Sequence, residues 1–212
     1  MNGHSRSLLE HKLDELEERH HVRVSVEKRL SLSKLDALLS EWNRAVSLVG
    51  FRTEEDRLDR YFIEALHAAN WLPAEGLAID IGSGGGTPAL PLAIQNPKLH
   101  WRLLEPNRRK AVFLEEAVAN VISGNVAVVR SRFQDYVPRC DINAITIRGV
   151  AAGSKLVQAA ESWLQPGGKV LFFTGRNKSI DIEQTTAPRW RICDNIRLAP
   201  RYETELLILE RC

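Results

Sequence analysis

The residues with the plainest chemical potential form the run Ile79-Asp80-Ile81-Gly82-Ser83-Gly84-Gly85-Gly86-Thr87-Pro88. The apolar stretch Leu77-Ala78-Ile79-Asp80-Ile81 meets glycines and then a proline, the pattern of a buried strand turning sharply into a helix. Glycine permits positive φ and lets a ligand approach bare main chain, while the N–H groups at a helix start face an anion. Loops of this kind also bind dinucleotides, and some only connect elements. Here Gly82-Ser83-Gly84-Gly85-Gly86-Thr87 lacks the last glycine of the dinucleotide fingerprint G-x-G-x-x-G. Glu105 ends the next strand, 25 positions after Asp80. An acid there can accept both hydroxyl protons of a ribose in the same crevice; its plainer reading is an acid facing a helix dipole.

Cations supply the second candidate group. Arg148 ends a later strand, and its fork of donors suits a phosphate, although a strand-end arginine is also a natural partner for a surface acid. Arg108, Arg109 and Lys110 open a helix and suit phosphate contacts, with Arg176 and Lys178 weaker candidates after the fifth strand. Solvated charge is the simpler reading for the group. Residues 1–72 are slightly acidic, whereas Arg102, Arg108, Arg109, Lys110, Arg130, Arg132, Arg139 and Arg148 outweigh the acids between positions 101 and 148. A polyanion should approach the middle of the chain rather than its front.

These side chains need a frame. Leu8, Leu9, Leu13 and Leu16 recur at helical spacing, as do Leu32, Leu35, Leu38, Leu39, Trp42 and Val46 after Ser33, a possible cap with Asp36 three residues on. A third helix is predicted from Thr53 with Asp56 to about Asn70, ended by Pro73. Residues 1–72 therefore read as a helical cap and 73–212 as a separate α/β unit. In the latter, strands are predicted at 77–81, 100–105, 126–129, 142–147 and 169–173, and helices at 88–95, 108–121 and 154–164. Asn107 caps the second of these helices, and Pro166-Gly167-Gly168 stops the last. Trp190 to Leu198 and Glu203 to Glu210, with no helix between them, predict an antiparallel hairpin. The fold class is α/β: a mostly parallel sheet, helices on both faces, closing in that hairpin. A closing hairpin favours a methyltransferase-type sheet over a nicotinamide enzyme, by analogy of fold.

Composition excludes several alternatives. The chain has 212 residues, 44% hydrophobic and 26% charged, with a net charge of +2, which suits roughly one domain and no free-standing electrostatic clamp on nucleic acid. No apolar run reaches the roughly 20 residues of a membrane span, and no secretory signal follows Met1, so a cytoplasmic protein is expected. Cys140, Cys193 and Cys212 have no metal or disulfide spacing. Of the histidines, only the His20-His21 dipeptide forms a pair, so no metal site is expected.

Three stretches together resemble the RsmG (GidB) family: Trp42-Asn43, Asp80 through Ala93 with Pro88 and Pro91 after the glycines, and Glu105-Pro106-Asn107-Arg108-Arg109-Lys110-Ala111-Val112-Phe113-Leu114. The resemblance spans roughly residues 30–175. It implies a class I, Rossmann-like methyltransferase that transfers a methyl group from S-adenosylmethionine to N7 of a guanine in bacterial small-subunit ribosomal RNA. It also implies the small ribosomal subunit or its rRNA as partner, and a monomer is expected. Carried over by position, Asp80, Gly82, Ser83, Gly84 and Gly86 belong to the cofactor loop, with Gly82, Ser83 and Gly84 beside its methionine part. Glu105 would hold the ribose, and Arg132 and Phe133, in Ser131-Arg132-Phe133-Gln134, would frame the adenine. Arg148 would lie near both the methyl group and the target base, which makes it the candidate catalytic residue. Arg108, Arg109, Lys110 and Arg176 would meet RNA.

The sequence also departs from that family. Tyr61-Phe62-Ile63-Glu64-Ala65-Leu66 stands where the family has His-x-x-Asp-Ser-Leu, Gln134 replaces a glutamate, Ile147-Arg148-Gly149 replaces Ser-Arg-Ala, and Thr174-Gly175 replaces Lys-Gly. The cofactor half is kept and the substrate-facing half altered. Two rival readings follow: a methyltransferase acting on another RNA or a small molecule, and a non-catalytic S-adenosylmethionine-binding module. The chemistry tolerates the lack of a catalytic cysteine or carboxylate pair. Guanine N7 is a lone-pair acceptor with no proton to remove, so alignment is what the protein must supply.

Overall fold

The computed structural model describes residues 7–122, 124–150, 153–175, 189–199 and 203–212. Among the described residues seven strands form one sheet: β1 (Gly76–Ile81), β2 (Leu99–Leu104), β3 (Val126–Val129), β4 (Ile142–Arg148), β5 (Leu164–Gly175), β6 (Trp190–Ala199) and β7 (Thr204–Arg211). Their spatial order is β3-β2-β1-β4-β5-β7-β6, the first five parallel, with β7 antiparallel to both β5 and β6. The predicted hairpin thus closes the sheet. Chain order reverses between β1 and β4, and in open α/β sheets ligands bind beyond the carboxyl ends of the strands at such a point.

The period-two alternation of the strands divides the core between the two faces. Ala78, Leu103 and Ala144 share one cluster, while their neighbours Ile79, Leu104 and Ile145 join another. On the first face the helices at Ala89–Gln95 and Arg108–Val121 lie on β2 and β3, and α2 (Val26–Trp42) packs on both of them while α1 (Leu8–His20) packs on the stretch Leu58–Ile63; Leu9, Leu13, Leu16, Leu32, Leu35 and Leu39 are buried in one cluster with Trp101 and Phe113. Trp42 packs edge-on against Phe113, with ring centroids 5.9 Å apart, as a packing anchor would. Leu8 instead stays exposed.

Three expectations need correction. Helix α2 is capped by Ser25, which accepts from the Lys28 amide, and Ser33 lies inside the helix. The cap lies eight residues, about two turns, earlier; Val26 and Leu30 stand exposed in those turns, so the apolar periodicity does not mark them. Pro166-Gly167-Gly168 does not separate a helix from a strand: α7 (Gly153–Trp163) passes directly into β5 at Leu164. The proline and glycines are absorbed where the register shifts between Ile142↔Leu164 and Ala144↔Lys169. The third helix is also composite. Thr53 caps it through the Asp56 amide at 3.0 Å, as predicted, but α3 (Glu54–Arg57) leads into a π-helical stretch at Leu58–Ile63, then α4 (Glu64–His67), then a tighter turn at Ala68–Trp71. Such π stretches recur at functional sites because they rotate side chains out of ordinary helical phase.

Candidate active site

The glycine loop leaves β1 at Ile81 and is tied at once to the neighbouring strand. The amides of Gly82 and Ser83 both donate to the Leu104 carbonyl, at 2.9 and 3.1 Å. Gly82, Gly84 and Gly86 take φ of +74°, +55° and +90°, so the positive-φ requirement read from the sequence is real at three positions. Their surroundings differ. A Cβ on Gly86 would stand 2.3 Å from Leu90, and one on Gly82 2.8 Å from Val150, so these glycines allow close packing. A Cβ on Gly84 would meet only the Gly82 carbonyl, at 3.7 Å, and so projects into open space. That side of the loop is left bare. From it runs α5 (Ala89–Gln95), whose face is buried along its length.

Glu105, one residue past β2 and buried, spans the gap to this loop. One carboxylate oxygen accepts from the Gly84 amide at 2.7 Å and the other from the Asn107 amide at 2.7 Å. Asn107 in turn caps α6 (Arg108–Val121) through the Arg109 and Lys110 amides. The carboxylate sits at the start of α6, and each oxygen keeps lone-pair capacity for a further donor, such as a ribose hydroxyl.

Asp80 is fully enclosed beneath the loop. Its Oδ1 accepts from the Thr146 hydroxyl at 2.6 Å, its Oδ2 has no partner, and burial pushes its pKa up to about 6 against the pull of Thr146 and Ser83. An orphaned buried carboxylate oxygen suits a cationic ligand group. Ser83 turns its hydroxyl to the Asp80 carbonyl at 3.2 Å.

Arg148 ends β4 on the other side of the switch point. Its Nη2 donates to Glu64 Oε2 at 2.5 Å, and its guanidinium carbon lies 5.5 Å from the Phe173 ring centroid. The plainer expectation was a surface acid, but Glu64 is only 2% exposed. Burial raises the Glu64 carboxyl above its usual range, and Arg148 beside it pulls the other way. Arg148 Nη1 and Glu64 Oε1 are buried without hydrogen-bond partners.

The other expected residues are placed as follows. Arg132 is exposed at the start of a short turn, Phe133–Asp135, and Phe133 packs half-buried against the second core cluster. Arg108 and Arg109 are exposed and Lys110 half-buried; among the described residues none of the three forms an ion pair. Arg176 and Lys178 lie outside the described residues.

The site also holds residues whose positions the sequence did not assign. Tyr61, fully buried in the π stretch, donates to the Gly85 carbonyl at 2.6 Å, and its own carbonyl accepts from the Thr87 hydroxyl at 2.9 Å. Asn43 accepts from the Leu48 and Val49 amides and donates to the Val49 carbonyl, folding a loop that packs on Gly85. Thr146 had a signal, being a hydroxyl inside the apolar run Ile142 to Ile147. The histidine pairing also differs: His20 meets His67, with ring nitrogens 2.9 Å apart, rather than His21. Among the described residues no cluster of three or more potential metal ligands occurs, and no helix is long and apolar enough to cross a membrane.

A switch-point crevice with a glycine cradle, an acid closing the second strand, and this strand order define a class I methyltransferase. Solved structures agree on the fold. A ribosomal protein L11 methylase from Lactobacillus delbrueckii subsp. bulgaricus matches with a TM-score of 0.61 at 19% identity, over 76% of this chain and 80% of that one. A putative methyltransferase from Thermoplasma acidophilum matches at 0.54 and 14%, over 66% and 69%. Within the class, residues 28–196 match the family described as GidB, rRNA small subunit methyltransferase G, and the chain belongs to that family. Its relatives include ribosomal RNA small subunit methyltransferase G of Helicobacter pylori strain J99, 32% identical over 70% of this chain and 83% of the relative. The protein of the same name from Wolinella succinogenes is 31% identical over 72% and 78%.

Proposed function

We propose that this protein methylates N7 of a guanine in 16S ribosomal RNA, with S-adenosylmethionine as methyl donor and the small ribosomal subunit or its rRNA as substrate. The observation that carries the reading is the juxtaposition across the switch point. The open side of Gly84, the Glu105 carboxylate and the orphaned Asp80 oxygen lie at one wall, and Arg148 ends the strand at the other.

The residues present fit the cofactor. Gly82, Ser83, Gly84 and Gly86 would leave the main chain bare for its methionine part. Asp80 would answer its ammonium and sulfonium charge, Glu105 would take ribose hydroxyls, and Arg132 and Phe133 would border the adenine. When bound, S-adenosylmethionine supplies an electrophilic methyl group on a sulfonium. The protein's own residues need neither a base nor a nucleophile, because N7 offers a lone pair and has no proton to lose. Their task is alignment, with Arg148 as the group nearest the reacting base. Arg108, Arg109 and Lys110 would meet backbone phosphates, and Arg176 is retained as a further RNA contact by sequence alone. In this reading residues 1–72 form a cap over the 73–212 unit, and the enzyme works as a cytoplasmic monomer.

The test is methyl transfer from labelled S-adenosylmethionine to small subunits that lack the modification, with the nucleosides then separated and weighed. The expected product is 7-methylguanosine. No incorporation by a preparation shown to bind the cofactor would overturn the reading in favour of another acceptor or of a non-catalytic binding module.

A further inference from the structure

We propose that Asn43 and Val49 are positioning residues for S-adenosylmethionine: Asn43 folds the turn that seats Val49 on Gly85, and that seat fixes the shape in which Gly84 meets the cofactor. The inference rests on the cofactor reading above and is independent of the acceptor.

The backbone of Gly85 gives it no reason to be glycine. Its neighbours Gly84 and Gly86 take φ of +55° and +90°, a region that L side chains rarely adopt, whereas Gly85 does not. What excludes a side chain there is another segment of the chain. A Cβ on Gly85 would stand 2.7 Å from Val49 Cγ1 and 3.3 Å from the Leu48 carbonyl oxygen. Val49 thus fills the space that a side chain on the loop would take.

Leu48 and Val49 belong to no helix or strand, so their shape must be set from elsewhere. Asn43 sets it. Its side-chain oxygen accepts from the Leu48 and Val49 amides at 2.9 and 3.1 Å, and its Nδ2 donates to the Val49 carbonyl at 3.0 Å. One side chain therefore satisfies three main-chain groups that no ladder would pair. Asn43 itself follows directly on α2, next to Trp42, whose ring packs on Phe113 of α6.

Gly84 then lies in a frame closed on three sides. Its own amide donates to Glu105 at 2.7 Å, the Gly85 carbonyl accepts from Tyr61 at 2.6 Å, and Val49 blocks movement of Gly85. Gly85 is buried, while Gly84 is only half-buried and keeps its bare side. A ligand met by main chain gains from such a frame. Only molecules with the loop in the binding shape can take it, and apparent affinity falls with that fraction.

Calorimetry with S-adenosylmethionine tests this without any acceptor. In Asn43→Ala the turn loses all three bonds, and the Kd should rise roughly fivefold or more with the binding stoichiometry preserved. Asn43→Asp keeps both acceptor bonds and loses only the donor to Val49, so it should fall between. Gly85→Ala should raise the Kd by roughly tenfold, and adding Val49→Ala, which vacates the space the new methyl needs, should recover most of the loss. If Gly85→Ala does not melt cooperatively, Asn43→Asp and the double variant carry the comparison. On small subunits the KM for the cofactor should rise in step with the Kd, and the KM for the subunit should not.

Residues that only support folding would lower the melting temperature and the stoichiometry, and leave the Kd of the folded molecules unchanged. That result, or no recovery in the double variant, would overturn the proposal. Wild type that binds S-adenosylmethionine but methylates no subunit ends the rRNA reading alone, and the calorimetric series still decides the roles of Asn43 and Val49. Wild type that binds no S-adenosylmethionine would overturn both.

Discussion

Tyr61 and Gly85 are joined by a 2.6 Å hydrogen bond from the phenol of the π-helical stretch to a carbonyl of the glycine loop. The bond is buried, and burial pushes the phenol's pKa well above its ordinary value, so the hydroxyl stays protonated as a donor. Thr87 answers from the loop with a bond to the Tyr61 carbonyl. The π-helical stretch is therefore fastened to the glycine loop at two points.

Tyr61→Phe should leave the Gly85 carbonyl unsatisfied while keeping the ring in place against Phe62, at a cost of about 1–3 kcal/mol. Both the melting temperature and the affinity for S-adenosylmethionine should fall, because the loop loses its brace. Calorimetry on the folded variant checks this; unchanged affinity would mean that the loop holds its shape without Tyr61.

Gly84 and Gly86 should separate binding from folding. Gly86→Ala drives a Cβ into Leu90 at 2.3 Å and should destabilise the fold by several kcal/mol. Gly84→Ala meets nothing nearer than 3.7 Å, so its cost in stability is the strain of φ +55°, about 1–2 kcal/mol. Its larger effect should be on cofactor affinity, since the added carbon enters the space left open for a ligand. Paired melting and binding curves for the two variants would show the contrast.

Much of this arrangement could be read from the residues alone. Alternating apolar runs, glycine and proline punctuation and the Asn107 cap fix the strand and helix sequence, and the closing hairpin follows from two strand patterns with no helix between them. What could not be read is whatever depends on a partner distant in sequence. Glu64 and Arg148 are 84 positions apart, and nothing local to either says that they meet. The Thr146 hydroxyl finds Asp80 across 66 positions by the register of two strands. The phase of Tyr61 depends on a π stretch that periodicity cannot show. Pro166-Gly167-Gly168 misled because the same residues that end helices also make bulges.

Glu105→Gln tests the acid that closes β2. The amide retains one acceptor oxygen for either the Gly84 or the Asn107 amide, but its NH2 must face the other, so one of two 2.7 Å bonds becomes a donor clash. Cofactor affinity should drop by roughly 1–3 kcal/mol, as expected when hydrogen bonds to a charged group are lost. A negligible change would reduce Glu105 to a partner of the α6 start.

Asp80 and His67 should produce opposing pH effects that partly cancel in the wild-type protein. Burial raises the folded pKa of Asp80 to about 6, above an unfolded value of about 3.9, so the folded state holds the proton more tightly and stability falls as pH rises from about 4 to about 6. Burial, with His20 adding to it, lowers His67 to about 4, so the folded ring stays neutral while the unfolded ring titrates near 6.5. That contribution is full above about pH 6.5 and is lost as pH falls toward 4. The two windows overlap with opposite signs. Asp80→Asn should therefore stabilise the protein at pH 8 by a few kcal/mol, give little gain at pH 4, and expose a loss of stability on acidification that His67 causes. The same substitution should weaken cofactor binding, since the orphaned carboxylate oxygen is what would meet the ligand's positive charge. His67→Gln should do the reverse and reveal a protein that becomes more stable as pH drops toward 4. Denaturant melts of the three proteins across pH 4–8 measure both, and parallel profiles would show that neither group titrates as its surroundings dictate.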